Sequence, residues 1–144
     1  MGAQTLAFAM PRFVILTHDW PHPHWDFLAE AGGVLRAWRL LEEPVVGADI
    51  PAEPNFPHRL FYLDYEGPVS GGRGNVTRWD AGTCDWLTDE QDRAELDLCG
   101  VKLTGRARVE RAGESSVFHL TASGPGSPPE ARPSALPGTT APRS

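Results

Sequence analysis

Three of the chain's five histidines lie within seven residues, in the segment HDWPHPHWD at positions 18–26, with Asp19 and Asp26 beside them. Imidazole nitrogens and a carboxylate make a mixed donor set that suits divalent Mn, Zn, Fe or Co without choosing among them. In an extended chain His24 and Asp26 point to one face, with Cα atoms about 6.6 Å apart at a rise of about 3.3 Å per residue. Both can therefore reach one ion. Pro21 and Pro23 remove two backbone donors and interrupt pairing, so His18 ends one strand and His24 begins the next. His18, delivered from the neighbouring strand, would be a third ligand and leave positions for water and substrate. The competing reading is a loop of unrelated histidines in which Asp19 and Asp26 cap turns. Residue types and spacing leave both open.

A second group lies at His58 and Tyr62. In residues 59–65, RLFYLDY, the alternation places Phe61, Leu63 and Tyr65 on one face and His58, Leu60, Tyr62 and Asp64 on the other, which predicts a strand. His58 and Tyr62 then face the same way, either toward a site or as the polar face of an ordinary interior strand.

Period two governs the elements that must hold these groups. Residues 12–18 (RFVILTH), 24–28, 76–79, 94–98, 101–111 and 116–121 read as strands. Residues 33–41 (GVLRAWRLL) fit a strand better than a helix because Gly32 and Gly33 suit a hairpin turn. In residues 101–111, Val101, Leu103, Ala107 and Val109 form the buried face. Residues 44–57, with four prolines, and residues 67–74, with four glycines, punctuate the chain. Such short intervals favour hairpins, since parallel strands need long crossovers. The fold class is therefore all-β, a small antiparallel barrel or sandwich with short turns.

The chain is 144 residues long. Its last 22 residues, 123–144, hold six of the 14 prolines and a single large apolar side chain, Leu136. They predict a disordered tail. Residues 1–10 read as a flexible leader, leaving 11–122 as one folded domain. A net charge of −6 argues against a protein held on nucleic acid by a broad positive field. That charge is concentrated at residues 85–97, where six acids stand against Arg93 alone, a segment expected to be a loop and strand edge. Cys84 and Cys99 fit no disulfide framework or zinc knuckle, no apolar run is long enough to span a membrane, and no secretory signal is evident. The expectation is a monomeric, cytoplasmic protein.

Four blocks in fixed order carry a family resemblance: PRFVILTHDWPHPHWDF, GVLRAW, HRLFYLDYEGPVSGGRGNVTRWDAGT and LCGVKLTGRARV. Together they resemble the 3′-phosphoesterase domain of bacterial DNA ligase D and its stand-alone relatives, over about residues 11–120. The resemblance implies a closed or nearly closed β-barrel that holds a divalent metal, Mn²⁺ first with Zn²⁺ or Co²⁺ as alternatives. It also implies trimming of 3′-phosphates or 3′-ribonucleotides from DNA 3′ ends on a primer-template during end repair, with ligase and polymerase supplied by separate proteins. By the same resemblance His18, His24 and Asp26 are the metal ligands, and His58 and Tyr62 are the catalytic pair that contacts the phosphate. Three positions depart from the family pattern. Leu28 stands where an arginine follows the metal aspartate, Glu42, Glu43 and Pro44 replace a proline-lysine-glycine loop, and PAEPNFP lacks a second arginine. His22 and Arg73 are the candidate replacements at the phosphate, with Arg73 preferred over Arg36, Arg39 and Arg59. Two functions follow: a metal-dependent 3′-phosphoesterase, or a weak or inactive barrel that binds phosphorylated ends or a repair partner.

Overall fold

β-Branched and apolar residues at alternate positions, broken by glycine pairs and prolines, leave the chain little option but short strands joined by tight turns. The computed structural model, described for residues 10–122, has nine: β1 (Arg12–His18), β2 (His24–Ala31), β3 (Val34–Leu40), β4 (Asp49–His58), β5 (Gly67–Pro68), β6 (Asn75–Asp89), β7 (Arg93–Gly100), β8 (Thr104–Ala112) and β9 (Ser115–Ala122). All pairings are antiparallel, in the order β1-β2-β3-β4-β9-β8-β7-β6, and β1 pairs with β6 to close an eight-stranded barrel. Closure gives each of these eight strands a neighbour on both sides over part of its length, and the short β5 pairs with the start of β6. The leader through residue 9 and the tail from residue 123 lie outside the described residues. Among the described residues no helix is long and apolar enough to cross a membrane.

Inward-facing side chains fill the barrel. Phe27 stacks on Trp38 at 5.5 Å and meets Phe118 edge-on at the same centroid distance, the arrangements that aromatic quadrupoles favour. A second cluster covers the outer face of β1 to β3, where Val14, Leu16, Leu28, Leu35 and Ala37 pack against Leu63 and Val76. β1 and β2 are thus buried on both faces, which is why they read as nearly continuous apolar runs.

Leu63 belongs to a 3₁₀ turn, Leu60–Asp64, and not to the strand that the alternation of residues 59–65 predicts. A short apolar run satisfies either geometry. Here the turn wins because it drops Leu63 into the outer cluster at 5% exposure, with Tyr62 packed partly against it, and the burial of Leu63 is worth about 2 kcal/mol. Two further expectations change. The proline-rich stretch contains β4, which is tolerated because residues 49–52 pair with β9 and residues 52–58 with β3. Prolines 51, 54 and 57 therefore each need a ladder on one side only. Val101 is 89% exposed, in the β7–β8 turn. That turn is held by Asp80, whose buried carboxylate accepts the N–H groups of Ala81 at 2.8 Å and of Lys102 and Leu103 at 2.9 Å.

The acidic segment 85–97 runs through the β6–β7 hairpin: residues 85–89 of β6 are laddered on one side only, by β7, as the expected edge, residues 90–92 are the turn, and only residues 93–97 of β7 are laddered on both sides. Its acids meet arginines from other strands: Asp97 with Arg106 at 2.9 Å, Asp92 with Arg111 at 3.5 Å, and Asp89 with Arg36.

Candidate functional site

The β1–β2 hairpin sets the first contacts. Its register pairs His18 with His24 across the loop of residues 19–23, and their rings lie 4.8 Å apart. Asp26, two residues further along β2, shares the face of His24, as strand periodicity requires. Its carboxylate lies 2.9 Å from His18 Nδ1 and 3.1 Å from His24 Nε2. Ligand atoms of all three residues fall within 4.8 Å of one another, with side-chain exposures of 14%, 0% and 9%. Among the described residues this is the one such group.

Backbone carbonyls fix both rings. His18 donates Nε2–H to the Arg73 carbonyl at 2.8 Å, and His24 donates Nδ1–H to the His22 carbonyl at 2.8 Å. A carbonyl only accepts, so in a neutral ring the nitrogen facing Asp26 carries the lone pair, and in a protonated ring it donates to the carboxylate. His24 Nε2 is buried with no hydrogen-bond partner. Two lone pairs and a carboxylate in contact repel unless a proton or a cation lies among them. Two donors at about 2.1 Å from an ion lie about 3.0 Å apart across a right angle, which is close to the observed separations. The group therefore fits a divalent cation, with the carbonyls of His22 and Arg73 orienting the ligands. A proton is the alternative occupant. Burial alone would raise the Asp26 carboxyl, but the His18 hydrogen bond and the proximity of His18 and His24 outweigh it and hold Asp26 at about 2. The hydrogen bond to Asp26 raises His18 above its ordinary value of 6.5, against the opposing effect of burial.

The group opens into a cavity of about 330 Å³. His18 and Asp26 line it together with His58, Tyr62, Arg39, Arg59, Arg73, Leu28, Asn55, Trp20 and Phe56. His58 ends β4 and Tyr62 sits on the 3₁₀ turn, their rings edge to face at 5.6 Å. In a continuous strand residues four apart would be about 13 Å apart, so the turn is what brings them together. His58 donates Nδ1–H to the Phe56 carbonyl at 2.9 Å, leaving Nε2 as its free nitrogen.

The positions singled out as replacement phosphate ligands are placed as follows. Arg73 lines the cavity, but its guanidinium hydrogen-bonds Ser70 of its own turn, through Nε at 2.7 Å and Nη2 at 3.2 Å. His22 is exposed and does not line the cavity; its contribution is its carbonyl. Arg36 is engaged elsewhere, with Asp89 and the face of Trp38. Arg39 differs. It pairs directly opposite Asp26 in the β2–β3 ladder, its Nε is buried without a partner, and Glu53 approaches only to 3.9 Å. The signal for Arg39 was present in the sequence, because a two-residue turn at Gly32-Gly33 makes position 39 the partner of position 26. Asn55, Trp20 and Phe56 carry no comparable signal.

The fold and the cluster define an antiparallel β-barrel with a nitrogen and oxygen ligand group on its outer wall. A match to the DNA Ligase D 3′-phosphoesterase domain covers residues 16–111. The chain is similar to the multifunctional non-homologous end joining protein LigD of Pseudomonas aeruginosa, 30% identical over 122 residues. It is similar also to the multifunctional non-homologous end joining DNA repair protein LigD of Mycobacterium tuberculosis, 31% identical over 117 residues. These alignments take in 76% and 74% of this chain, but only 14% and 15% of the two relatives. The chain belongs to the DNA ligase D 3′-phosphoesterase domain family.

Proposed function

We propose that this chain is a divalent-metal-dependent phosphoesterase that removes a 3′-phosphate or 3′-ribonucleotide from DNA ends. The observation that carries this reading is the convergence of His18, His24 and Asp26, of which His18 and Asp26 line a cavity together with His58, Tyr62 and Arg39. His18, His24 and Asp26 would hold a divalent ion, Mn²⁺ first and Zn²⁺ or Co²⁺ as alternatives, which would supply charge for phosphate oxygens and acidify a water. His58, its Nδ1–H committed to Phe56, exchanges a proton with the phosphoryl group at Nε2. Tyr62 orients that group by a hydrogen bond. Arg39 contributes a permanent cation and charge-assisted hydrogen bonds, the service that an arginine at position 28 would perform. Arg73 and His22 act through their carbonyls, by aiming His18 and His24. Family membership and the names of the LigD relatives support work on DNA ends in non-homologous end joining.

The test is direct. The purified chain with Mn²⁺ should shorten or dephosphorylate a primer ending in a 3′-ribonucleotide or a 3′-phosphate, and chelation or His24→Ala should abolish this. No turnover with Mn²⁺, Zn²⁺ or Co²⁺ would overturn the enzyme reading. End-selective binding without product would then favour the barrel that only recognises phosphorylated ends.

A further inference from the structure

The cavity wall is cationic on a chain that is not. The chain carries a net charge of −6, yet among the described residues that line the cavity Asp26 is the single acid, against Arg39, Arg59 and Arg73. Asp26 is engaged with His18 and His24. Three arginines therefore share a wall whose one carboxylate is occupied.

The three are not equivalent. Arg39 stands opposite Asp26 in the β2–β3 ladder. Arg73 turns its guanidinium back onto Ser70 through two hydrogen bonds. Arg59 does neither. Among the described residues it forms no ion pair, a distinction that it shares with Arg73 and Arg78 alone of the arginines, and Arg78 does not line the cavity. Exposed guanidiniums elsewhere on this acidic chain do meet carboxylates, as Arg12, Arg106 and Arg111 show. The Arg59 guanidinium lies over the ring of Phe61, 5.9 Å from its centroid. Attraction to a ring face leaves the N–H fork available to an acceptor.

Position in the chain says which acceptor. Arg59 follows His58, the last residue of β4, and precedes the 3₁₀ turn that carries Tyr62. His58 is half-buried and Arg59 is exposed, so His58 lies deeper and Arg59 stands at the rim. A strand whose terminal phosphate lies beside His58 and Arg39 leaves the cavity over that rim. The next charged group it carries is an internucleotide phosphate, whose two free oxygens match a guanidinium fork.

We infer that Arg59 binds the internucleotide phosphate next to the reacting 3′ end, so that the site recognises a strand and not an isolated phosphate monoester. This rests on the phosphoesterase reading for the place of the terminal phosphate and adds to it a specificity-determining residue. A backbone contact carries no sequence information, and it is open to paired and unpaired ends alike.

The experiment measures binding by fluorescence anisotropy on the full chain with Mn²⁺. The probe is a labelled primer annealed to a longer template and ending in a 3′-methylenephosphonate, whose carbon–phosphorus bond is not hydrolysed. A second probe has an uncharged methylphosphonate between its last two nucleotides, and a third has it one linkage further from the end. The unaltered chain should bind the first and third probes alike and the second about tenfold more weakly. Arg59→Gln should bind all three alike, at the affinity the unaltered chain has for the second, and Arg59→Lys should keep part of the preference. Equal binding of the first and second probes by the unaltered chain would overturn the inference. So would a loss in Arg59→Gln of the same size on both, which would place Arg59 at the terminal phosphate or in no contact at all. Cleavage of ordinary 3′-phosphates that neither Arg59→Gln nor the methylphosphonate slows would defeat this inference alone. The expected binding pattern without any cleavage would sustain it and defeat the phosphoesterase reading.

Discussion

Arg39 stands opposite Asp26 across the β2–β3 ladder, its Nε buried and without a hydrogen-bond partner. A guanidinium held beside His18, His24 and Asp26, with Glu53 no nearer than 3.9 Å, is placed to meet an anion. Charge-assisted hydrogen bonds of this kind contribute about 1.5 to 3 kcal/mol. Arg39→Gln should therefore lower kcat/KM on a 3′-phosphorylated primer by about tenfold to a hundredfold. Arg39→Lys, which keeps the charge but not the fork, should recover part of the loss. Isothermal titration with Mn²⁺ should give wild-type affinity for both variants, which separates a phosphate contact from damage to the ligands. Unchanged kinetics in Arg39→Gln would remove Arg39 from the site.

The metal-stripped protein should be sensitive to alkali. His18 is raised above 6.5 when folded, so its contribution to stability is complete below that value and disappears as pH rises through the folded value. Asp26 is lowered from 3.8 to about 2, so its contribution is complete above 3.8 and disappears as pH falls through about 2. Together they favour the folded state most between about pH 4 and 6.5. Thermal unfolding in EDTA should show Tm falling from pH 6 to pH 9, with a smaller fall in Asp26→Asn. Excess Mn²⁺ should reverse the trend, because the cation replaces the proton and binds deprotonated imidazole. A flat Tm in EDTA across this range would contradict the His18–Asp26 pair.

Gly74 should be as sensitive as a ligand, although it bears no side chain. Its φ is +79°, and a Cβ there would collide with Asp19 Oδ1 as well as Trp20. Gly74→Ala should cost about 1 to 3 kcal/mol and shift the turn whose Arg73 carbonyl aims His18. Weakening of Mn²⁺ binding by about tenfold to a hundredfold is expected, the usual effect of losing a group that orients a ligand. Denaturant unfolding and metal titration report the two effects separately.

Asp80 is a structural residue. Replacing it with Ala leaves the N–H groups of Lys102 and Leu103 without their acceptor, and the loss should be about 3 kcal/mol or more. Urea unfolding should show the midpoint fall, while Mn²⁺ affinity of the still-folded protein stays close to wild type. A variant of normal stability would show that the β7–β8 turn is held by other contacts.

Much of the site is legible because it is local. His18, His24 and Asp26 lie on one hairpin, where strand parity and two prolines suffice to bring them together. Arg39 follows from the same logic once Gly32-Gly33 is taken as the turn. The His58 and Tyr62 pair shows the limit. Alternation in residues 59–65 places both on one face, yet their contact depends on a 3₁₀ turn that forms because Leu63 finds a place against Val14 and Leu16. That partner cluster lies in strands far away in the chain, so no local pattern reveals it.

Charge tells the same story at longer range. By composition, residues 85–97 are a lone acidic block, but the β7–β8 hairpin sets Asp97 and Asp92 beside Arg106 and Arg111, and the barrel sets Asp89 beside Arg36 on β3.

By itself, then, the sequence determined an all-β chain, its hairpins and the ligand-type residues that parity puts on one face. The tertiary structure decided which arginine lines the cavity beside them and which carbonyls aim the imidazoles. The reason is physical: side-chain parity is a property of neighbouring residues, whereas the Arg73 carbonyl reaches His18 across 55 positions, through a barrel that must close before the two can meet.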